Sequence, residues 1–305
     1  MIELVKNTKI DFMSMKKYTF LFSGALLFLG LVGTVQIYRG QANLGIDLAG
    51  GTSIQLKFRN PFSLDEIRAI LAKAGHREAT LQEVPGEHVL LLKLGAAGGK
   101  EEKMVAEPVV NLLRRSFPAN PFVVESVSEI GPAIGHKLRR DAALALLVSA
   151  LAIIVYLAWR FEFKFGVAAA IATFHDVIAI VGIFWVLGIE MDLLFITALL
   201  TIGGYSLTDT VVVYDRIREN IKLRKKGTFS DAINLSVNEV LSRTIITSLT
   251  TFLATVSLLV FGGIVLRNFA FALTMGIVVG TYSSVFVASP VVALWRGEKM
   301  TEVKR

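Results

Sequence analysis

The chain contains no cysteine. Disulfides, thiol catalysis and cysteine-ligated zinc are therefore excluded. Histidine is scarce too: His76, His88, His136 and His175 are the four in 305 residues, and no two stand at metal-ligand spacing. A metal enzyme is not expected. Charge is thin as well, at 19% of residues against about 25% in soluble domains. In its place the chain is 53% hydrophobic with a mean hydropathy of +0.60.

The apolar excess is gathered in six runs, near 18–38, 141–159, 166–187, 193–214, 244–264 and 269–294. Each is long enough to cross a bilayer, which takes about 20 residues per helix. The first, "YTFLFSGALLFLGLVGTVQIY", outruns the about 7–15-residue core of a signal peptide and has no clear A-x-A cleavage site. It reads as a retained anchor.

Basic residues are missing from one set of loops. The short loops on that side hold only Arg267. The opposite set holds Lys6, Lys9, Lys16 and Lys17, then Arg160 and Lys164, then Arg216, Arg218, Lys222, Arg224, Lys225, Lys226 and Arg243, and last Arg296, Lys299, Lys304 and Arg305. The positive-inside rule puts both termini in the cytoplasm. The net charge of +7 thus reads as a topology signal and as contact with membrane lipid headgroups, not as a nucleic-acid footprint. The expected order is a cytoplasmic N-terminus (1–17), an anchor helix (18–38), an extracytoplasmic domain (39–140), a five-helix membrane region (141–294) with a cytoplasmic loop at 215–243, and a cytoplasmic tail (295–305).

Residues 39–140 alternate between two periods. "SIQLKF" (53–58), "ATLQEV" (79–84), "HVLLLKL" (88–94) and "FVVESVSEIG" (122–131) read as strands, with "PGE" as a hairpin turn. "SLDEIRAILAKAG" (63–75) has helical spacing, Ser63 as N-cap and Glu66 completing a capping box. "EEKMVAEPVVNLLRRSF" (101–117) reads as a second helix that Pro108 should kink or restart. The order βαββαβ predicts a ferredoxin-like domain. In loop 215–243, Thr228 and Asp231 form a capping box, and Phe229, Ile233, Val237, Val240 and Leu241 suggest a helix lying along the membrane surface.

"NLGIDLAGGTS" (43–53) is one residue from the phosphate loop G-x-x-x-x-G-K-[ST]. Gly51 stands where the lysine should be, a strand follows in place of a helix, and the expected side of the membrane has no ATP. Gly45, Gly50 and Gly51 are better read as a tight joint between the anchor and the domain, with Asp47 bonding local backbone N–H groups.

Ionisable side chains inside spans are costly and usually face protein or water. Glu190 and Asp192 are read as solvated at a span end, and Asp215, Arg216, Arg218 and Glu219 as exposed pairs. His175 and Asp176 lie in the third span, Asp209 in the fourth, and Arg243 opens the fifth. At about 1.5 Å per residue, Asp209 is roughly 8 Å and His175 roughly 13 Å from the basic ends of their spans. Arg243, Thr247, Thr250 and Ser257 share one face of the fifth helix; Thr244, Ser248, Thr251 and Thr255 lie beside it. Two readings stand: helix packing, or a site in which Asp209 alternates between an Arg243-paired state and an apolar one and so gains and loses a proton. One charge moved across the membrane is worth about 2.3 kcal/mol per 100 mV. Gly203 and Gly204 could let the fourth helix bend, and "GIVVG" (Gly276, Gly280) is a close-packing face.

"GIDLAGGT" (45–52), "HDV" (175–177), "YSLTDTVVVYDRIREN" (205–220) and "LSRTIITSLTT" (241–251) resemble the motifs of the SecF branch of the SecD/SecF family, within the resistance-nodulation-division superfamily. Leu48 and Ala49 depart from the phenylalanine-containing form common in that branch. The resemblance implies a bacterial inner-membrane subunit of the Sec export machinery, not an enzyme, with no cofactor beyond a transported proton, or sodium in some lineages. It implies SecD, the SecYEG channel, YajC and a translocating preprotein as partners. It ties Asp209 and Arg243 to ion coupling, with His175, Asp176, Thr247 and Thr250 around them. The competing readings are half of a transporter for lipid or small solutes, and a scaffold subunit with no ion coupling.

Overall fold

The computed structural model describes residues 8–84, 87–95, 105–223 and 227–297. Lys6, Pro85 and Gly86 of the "PGE" turn, residues 101–104 of the second domain helix, Arg224, Lys225, Lys226, Lys299, Lys304 and Arg305 lie outside them. The chain divides into two compact units, one spanning 44–144 and the other formed by the flanking chain.

The first unit begins with a single turn, α2 (Ile46–Ala49), and continues β1 (Gly51–Phe58), α3 (Leu64–Lys73), β2 (Thr80–Val84), β3 (Val89–Gly95), α4 (Ala106–Ser116) and β4 (Phe122–Ile130). The strands form one antiparallel sheet in the order β2-β3-β1-β4, and the predicted βαββαβ order holds. Alternate residues Ile54, Leu56 and Phe58 of β1 and Leu90, Leu92 and Leu94 of β3 face α3 and α4, which bury Ile67, Leu71, Val109 and Leu113. Ser63 caps α3 by accepting the Glu66 N–H at 3.4 Å. Pro108 produces no kink because α4 starts only at Ala106, so the proline sits in the first turn, where no intrahelical N–H bond is lost. The Glu129 carboxylate on β4 accepts the Ala106 N–H at 2.8 Å and closes that helix end.

The glycine loop is a pinch point. A side chain on Gly50 would lie 3.1 Å from Pro132 Cα, and one on Gly135 would lie 2.7 Å from Gly50 N. Gly50 also has φ 81° and ψ 154°, a conformation open only to glycine. The chain entering this unit and the chain leaving it therefore touch backbone to backbone.

Among the described residues six helices are long and apolar enough to span a membrane: α1 (Lys16–Tyr38), α5 (Pro132–Arg160), α6 (Phe163–Leu187), α7 (Leu193–Leu223), α8 (Phe229–Phe261), and α9 (Gly263–Ser283), which runs through a π-helical segment (Ser284–Ala288) into α10 (Ser289–Arg296). Several helices extend beyond the apolar runs, since no proline or glycine stops them at the polar edge. The largest correction concerns loop 215–243. The capping box of Thr228 and Asp231 is present, but the helix it opens is the start of α8. Phe229, Ile233 and Val237 do not lie on a membrane surface; they are buried against Tyr214, Ile217 and Ile221 of α7. Asp192 is also more than solvated, since it accepts the Phe195 N–H at 2.7 Å and caps α7. Arg160 and Asp215 pair at 2.6 Å, and Arg216 pairs with Glu219 and Glu239.

Small residues set the helix crossings. A Cβ on Gly276 would overlap Ile202, and one on Gly280 would lie 3.1 Å from Ser206 Cβ, so the GxxxG face packs on α7. A Cβ on Gly182 of α6 would lie 2.6 Å from Gly30 N on α1. Ahead of α1, a strap of residues is tied to α8. Asn238 accepts the Ile10 N–H and donates to Ile10 O, at 3.0 and 2.9 Å. Asn234 accepts the Met13 N–H at 3.0 Å and donates to Asp11 at 2.7 Å. Phe12 and Met13 are buried beneath it.

Candidate ion-coupling site in the helical bundle

Two polar clusters occupy the bundle interior, and they share α7. The first centres on Asp176 of α6, which has no exposed surface. Its Oδ1 bonds His175 Nδ1 at 2.9 Å. Its Oδ2 accepts from Ser206 of α7 and, at 2.7 Å, from Ser283 of α9. His175 is buried too, and its Nε2 has no hydrogen-bond partner among the described residues. The ring lies 6.4 Å from that of Tyr282, whose hydroxyl donates to Thr19 O and meets Ser23, both on α1. Three helices thus meet around one carboxyl group, and Tyr282 ties a fourth, α1, to the same region.

The second cluster centres on Asp209, one turn along α7 from Ser206. Asp209 is 8% exposed. Its carboxylate accepts one long hydrogen bond, from Ser248 of α8 at 3.4 Å. Ser248 in turn accepts from Thr281 of α9 at 2.7 Å and from Tyr205 at 3.3 Å. Among the described residues no ion pair joins Asp209 to Arg243. Arg243 is exposed and borders an open cleft lined by Val212, Asp215, Arg216, Glu219, Glu239 and Val240.

The structure therefore separates residues that the sequence grouped. His175 and Asp176 stand together. Asp209 and Arg243 do not touch. Thr247 and Thr250 are exposed and donate to their own helix carbonyls, Thr247 to Arg243 O at 3.0 Å and Thr250 to Ile246 O at 3.0 Å. The stripe turned inward is the other one: Thr244, Ser248 and Thr255 are buried. Gly203 faces Thr173 at ordinary contact distance, nothing approaches Gly204, and α7 passes unbroken through both. Gly45, Asp47, Gly50 and Gly51 belong to the other unit. Sequence reasoning missed Ser206 as a bonding partner although it lies inside the "YSLTDT" motif. It missed Ser283 altogether, the signal being the serine pair in "TYSSV" within an otherwise apolar run.

A helical bundle of six apolar spans, with an α+β domain inserted after the first span and carboxyl groups buried at the bundle centre, defines a multi-pass membrane protein built for transport work. The family model described as "Protein export membrane protein SecD/SecF, C-terminal" matches residues 111–298, and "SecD/SecF GG Motif" matches 42–61. The protein translocase subunit SecF of Thermodesulfovibrio yellowstonii is 49% identical over 96% of this chain and 97% of its own length. That of Calditerrivibrio nitroreducens is 40% identical over 96% of each. The crystal structure of SecDF, a translocon-associated membrane protein from Thermus thermophilus, superposes with a TM-score of 0.82 at 37% identity, covering 97% of this chain. The chain spans 40% of that longer protein. It belongs to the SecD/SecF family of protein-export membrane proteins, on the SecF side.

Proposed function

We propose that the chain works with SecD beside the SecYEG channel, using the proton gradient, or sodium in some lineages, to promote late steps of polypeptide translocation. The observation that carries this reading is Asp209, a buried carboxyl group in a membrane-spanning helix held by one long hydroxyl bond and, among the described residues, in no ion pair. Such a group is costly to keep unless it is used. It needs a partner that comes and goes, and a proton is the simplest one.

Arg243 supports the same reading from the other side. It lies on an exposed face with Thr247 and Thr250, beside the cleft that also holds Glu219 and Glu239. Thr201, Gly204 and Thr208 of α7 are exposed as well. A face of hydroxyls and small residues suits close contact with further membrane helices, and the Thermus protein holds this region and its SecD portion in one chain. We assign the face to SecD, with Arg243 meeting an acidic partner there in one state and approaching Asp209 in another. His175 and Asp176 form a second proton-holding pair. The orientation puts the basic ends of the helices in the cytoplasm and the 39–140 domain outside, with the Gly45–Gly51 joint passing motion between them and Gly203–Gly204 available for bending.

The test is preprotein export into membrane vesicles with and without an imposed gradient. Asp209→Asn and Arg243→Ala should each abolish the gradient-dependent part while leaving ATP-driven export. Gradient-dependent export unchanged in both variants would sink the coupling reading and leave the scaffold reading standing.

A further inference from the structure

The Ser283 hydroxyl lies within bonding distance of two acceptors, Asp176 Oδ2 at 2.7 Å and Gly280 O at 3.1 Å. A hydroxyl has one hydrogen, so the two bonds are alternatives. With Asp176 ionised, Oδ2 accepts and the hydrogen points to it. With Oδ2 protonated, that oxygen becomes a donor, a serine oxygen accepts from it, and the Ser283 hydrogen is freed for Gly280 O. Gly280 O is also the acceptor of the Ser284 N–H, the α-type bond immediately before the π segment Ser284–Ala288. A hydroxyl competing for a helical carbonyl weakens and bends that turn, and π segments often mark functional sites.

The π segment leads to the strap. Phe286 lies within it, stacks on Tyr282 at 5.3 Å and meets Phe12 edge to face at 5.6 Å. Phe12 belongs to the strap held by Asn234 and Asn238. Tyr214 bonds the far end of the segment by donating to Ala288 O at 2.9 Å.

We propose that Ser283 is a positioning residue that passes the protonation state of Asp176 to the π segment and, through Phe286, to the strap at residues 8–15. This rests on the reading that Asp176 exchanges a proton. Among the described residues, the titratable groups of the two polar clusters that share α7 are His175 beside Asp176 on α6, Tyr205 and Asp209 on α7 and Tyr282 on α9, and Tyr214 on α7 bonds Ala288 O; Ser23 of α1 meets Tyr282, and Ser248 of α8 meets Asp209 and Tyr205.

The full chain, co-purified with SecD in lipid nanodiscs, is tested by two measurements across a pH series. Infrared difference spectra follow the protonated-carboxyl stretch, with Asp176→Asn and Asp209→Asn assigning the bands. Hydrogen exchange, corrected for intrinsic rates, follows peptides covering 8–15 and 284–288. Protection of both peptides should change about fivefold or more as the Asp176 band titrates, the low end of coupling between sites. Ser283→Ala should remove that change while keeping the band, and Ser283→Thr, which keeps the hydroxyl, should restore it. If alanine unfolds the bundle, Ser283→Cys keeps the volume with a weak donor and should reduce the change. An equal response in wild type and Ser283→Ala overturns the proposal, as does a titrating Asp176 band with no exchange response. The second result leaves proton exchange at Asp176 intact; the absence of any titrating Asp176 band defeats that reading and the inference with it.

Discussion

Asp176 and Asp209 are both carboxyl groups inside one bundle, yet their surroundings are opposites. Asp176 has a ring nitrogen and two hydroxyls on its two oxygens and no exposed surface. Asp209 has one hydroxyl at 3.4 Å, shared with two other hydroxyls. A group bonded on both oxygens by three partners is fixed by its neighbours, because moving it leaves several of them unpaired. A group with one long bond can shift at small cost. The first arrangement builds a bundle centre; the second leaves a carboxyl group free to change partners.

Removing each group breaks or sharpens that comparison. Asp176→Ala strands His175 and Ser206 in a closed site, leaves Ser283 only Gly280 O, and should cost about 3–5 kcal/mol, as when a buried paired group is deleted. Asp209→Ala should cost below about 1 kcal/mol, since a single weak bond is lost. Unfolding in mixed micelles, followed by the fluorescence of Trp159, Trp185 and Trp295, measures both. Equal costs would end the distinction. The hydroxyl partners should repeat the order on a smaller scale. Ser206→Ala should cost about 1–3 kcal/mol because a buried acceptor loses its donor. Ser248→Ala should cost about 1 kcal/mol or less, because Thr281 retains Ile277 O as an acceptor at 2.7 Å. Gly280→Ala comes next: its methyl would press on Ser206 Cβ at 3.1 Å, an overpacking worth about 1 kcal/mol. It should disturb the Asp176 cluster and leave the Asp209 cluster unchanged.

The fold was legible where a pattern repeats over many residues. Six apolar runs, the alternation of β1 and β3 and the Thr228–Asp231 box each stand out within a short window of sequence. The phase of α8 was not legible. Thr247 and Ser248 are neighbours, and both hydroxyl stripes have helical spacing, so periodicity alone does not say which one faces inward. Packing against α7 and α9 decides it, and that information sits in other helices. The strap was hidden for the same reason: Ile10 and Asn238 are 228 residues apart. Asn234 and Asn238, spaced i, i+4 beside buried Ile233 and Val237, were the available hint. Ser283 was masked by the apolar run around it, and no sequence signal announces the π segment that follows.

Thr247 against Ser248 gives the smallest effect and the finest test of which face is which. Thr247→Val keeps the shape and removes a hydroxyl whose hydrogen goes to carbonyls of its own helix, Arg243 O and Thr244 O, both at 3.0 Å. Those carbonyls keep their helical partners, so the isolated chain should change by no more than about 0.5 kcal/mol, as surface substitutions do. Ser248→Val at the adjacent position adds bulk to a buried residue and removes the hub between Asp209, Thr281 and Tyr205, so it should cost about 1–3 kcal/mol. With SecD present the order should narrow. If the exposed face is where SecD packs, Thr247→Val alters a helix contact made only in the complex, and co-purification with SecD should weaken while the isolated chain stays intact. A Thr247→Val chain that holds SecD as firmly as the wild type would move the SecD contact to another face. Arg243 would then have to find its acidic partner elsewhere than across that stripe.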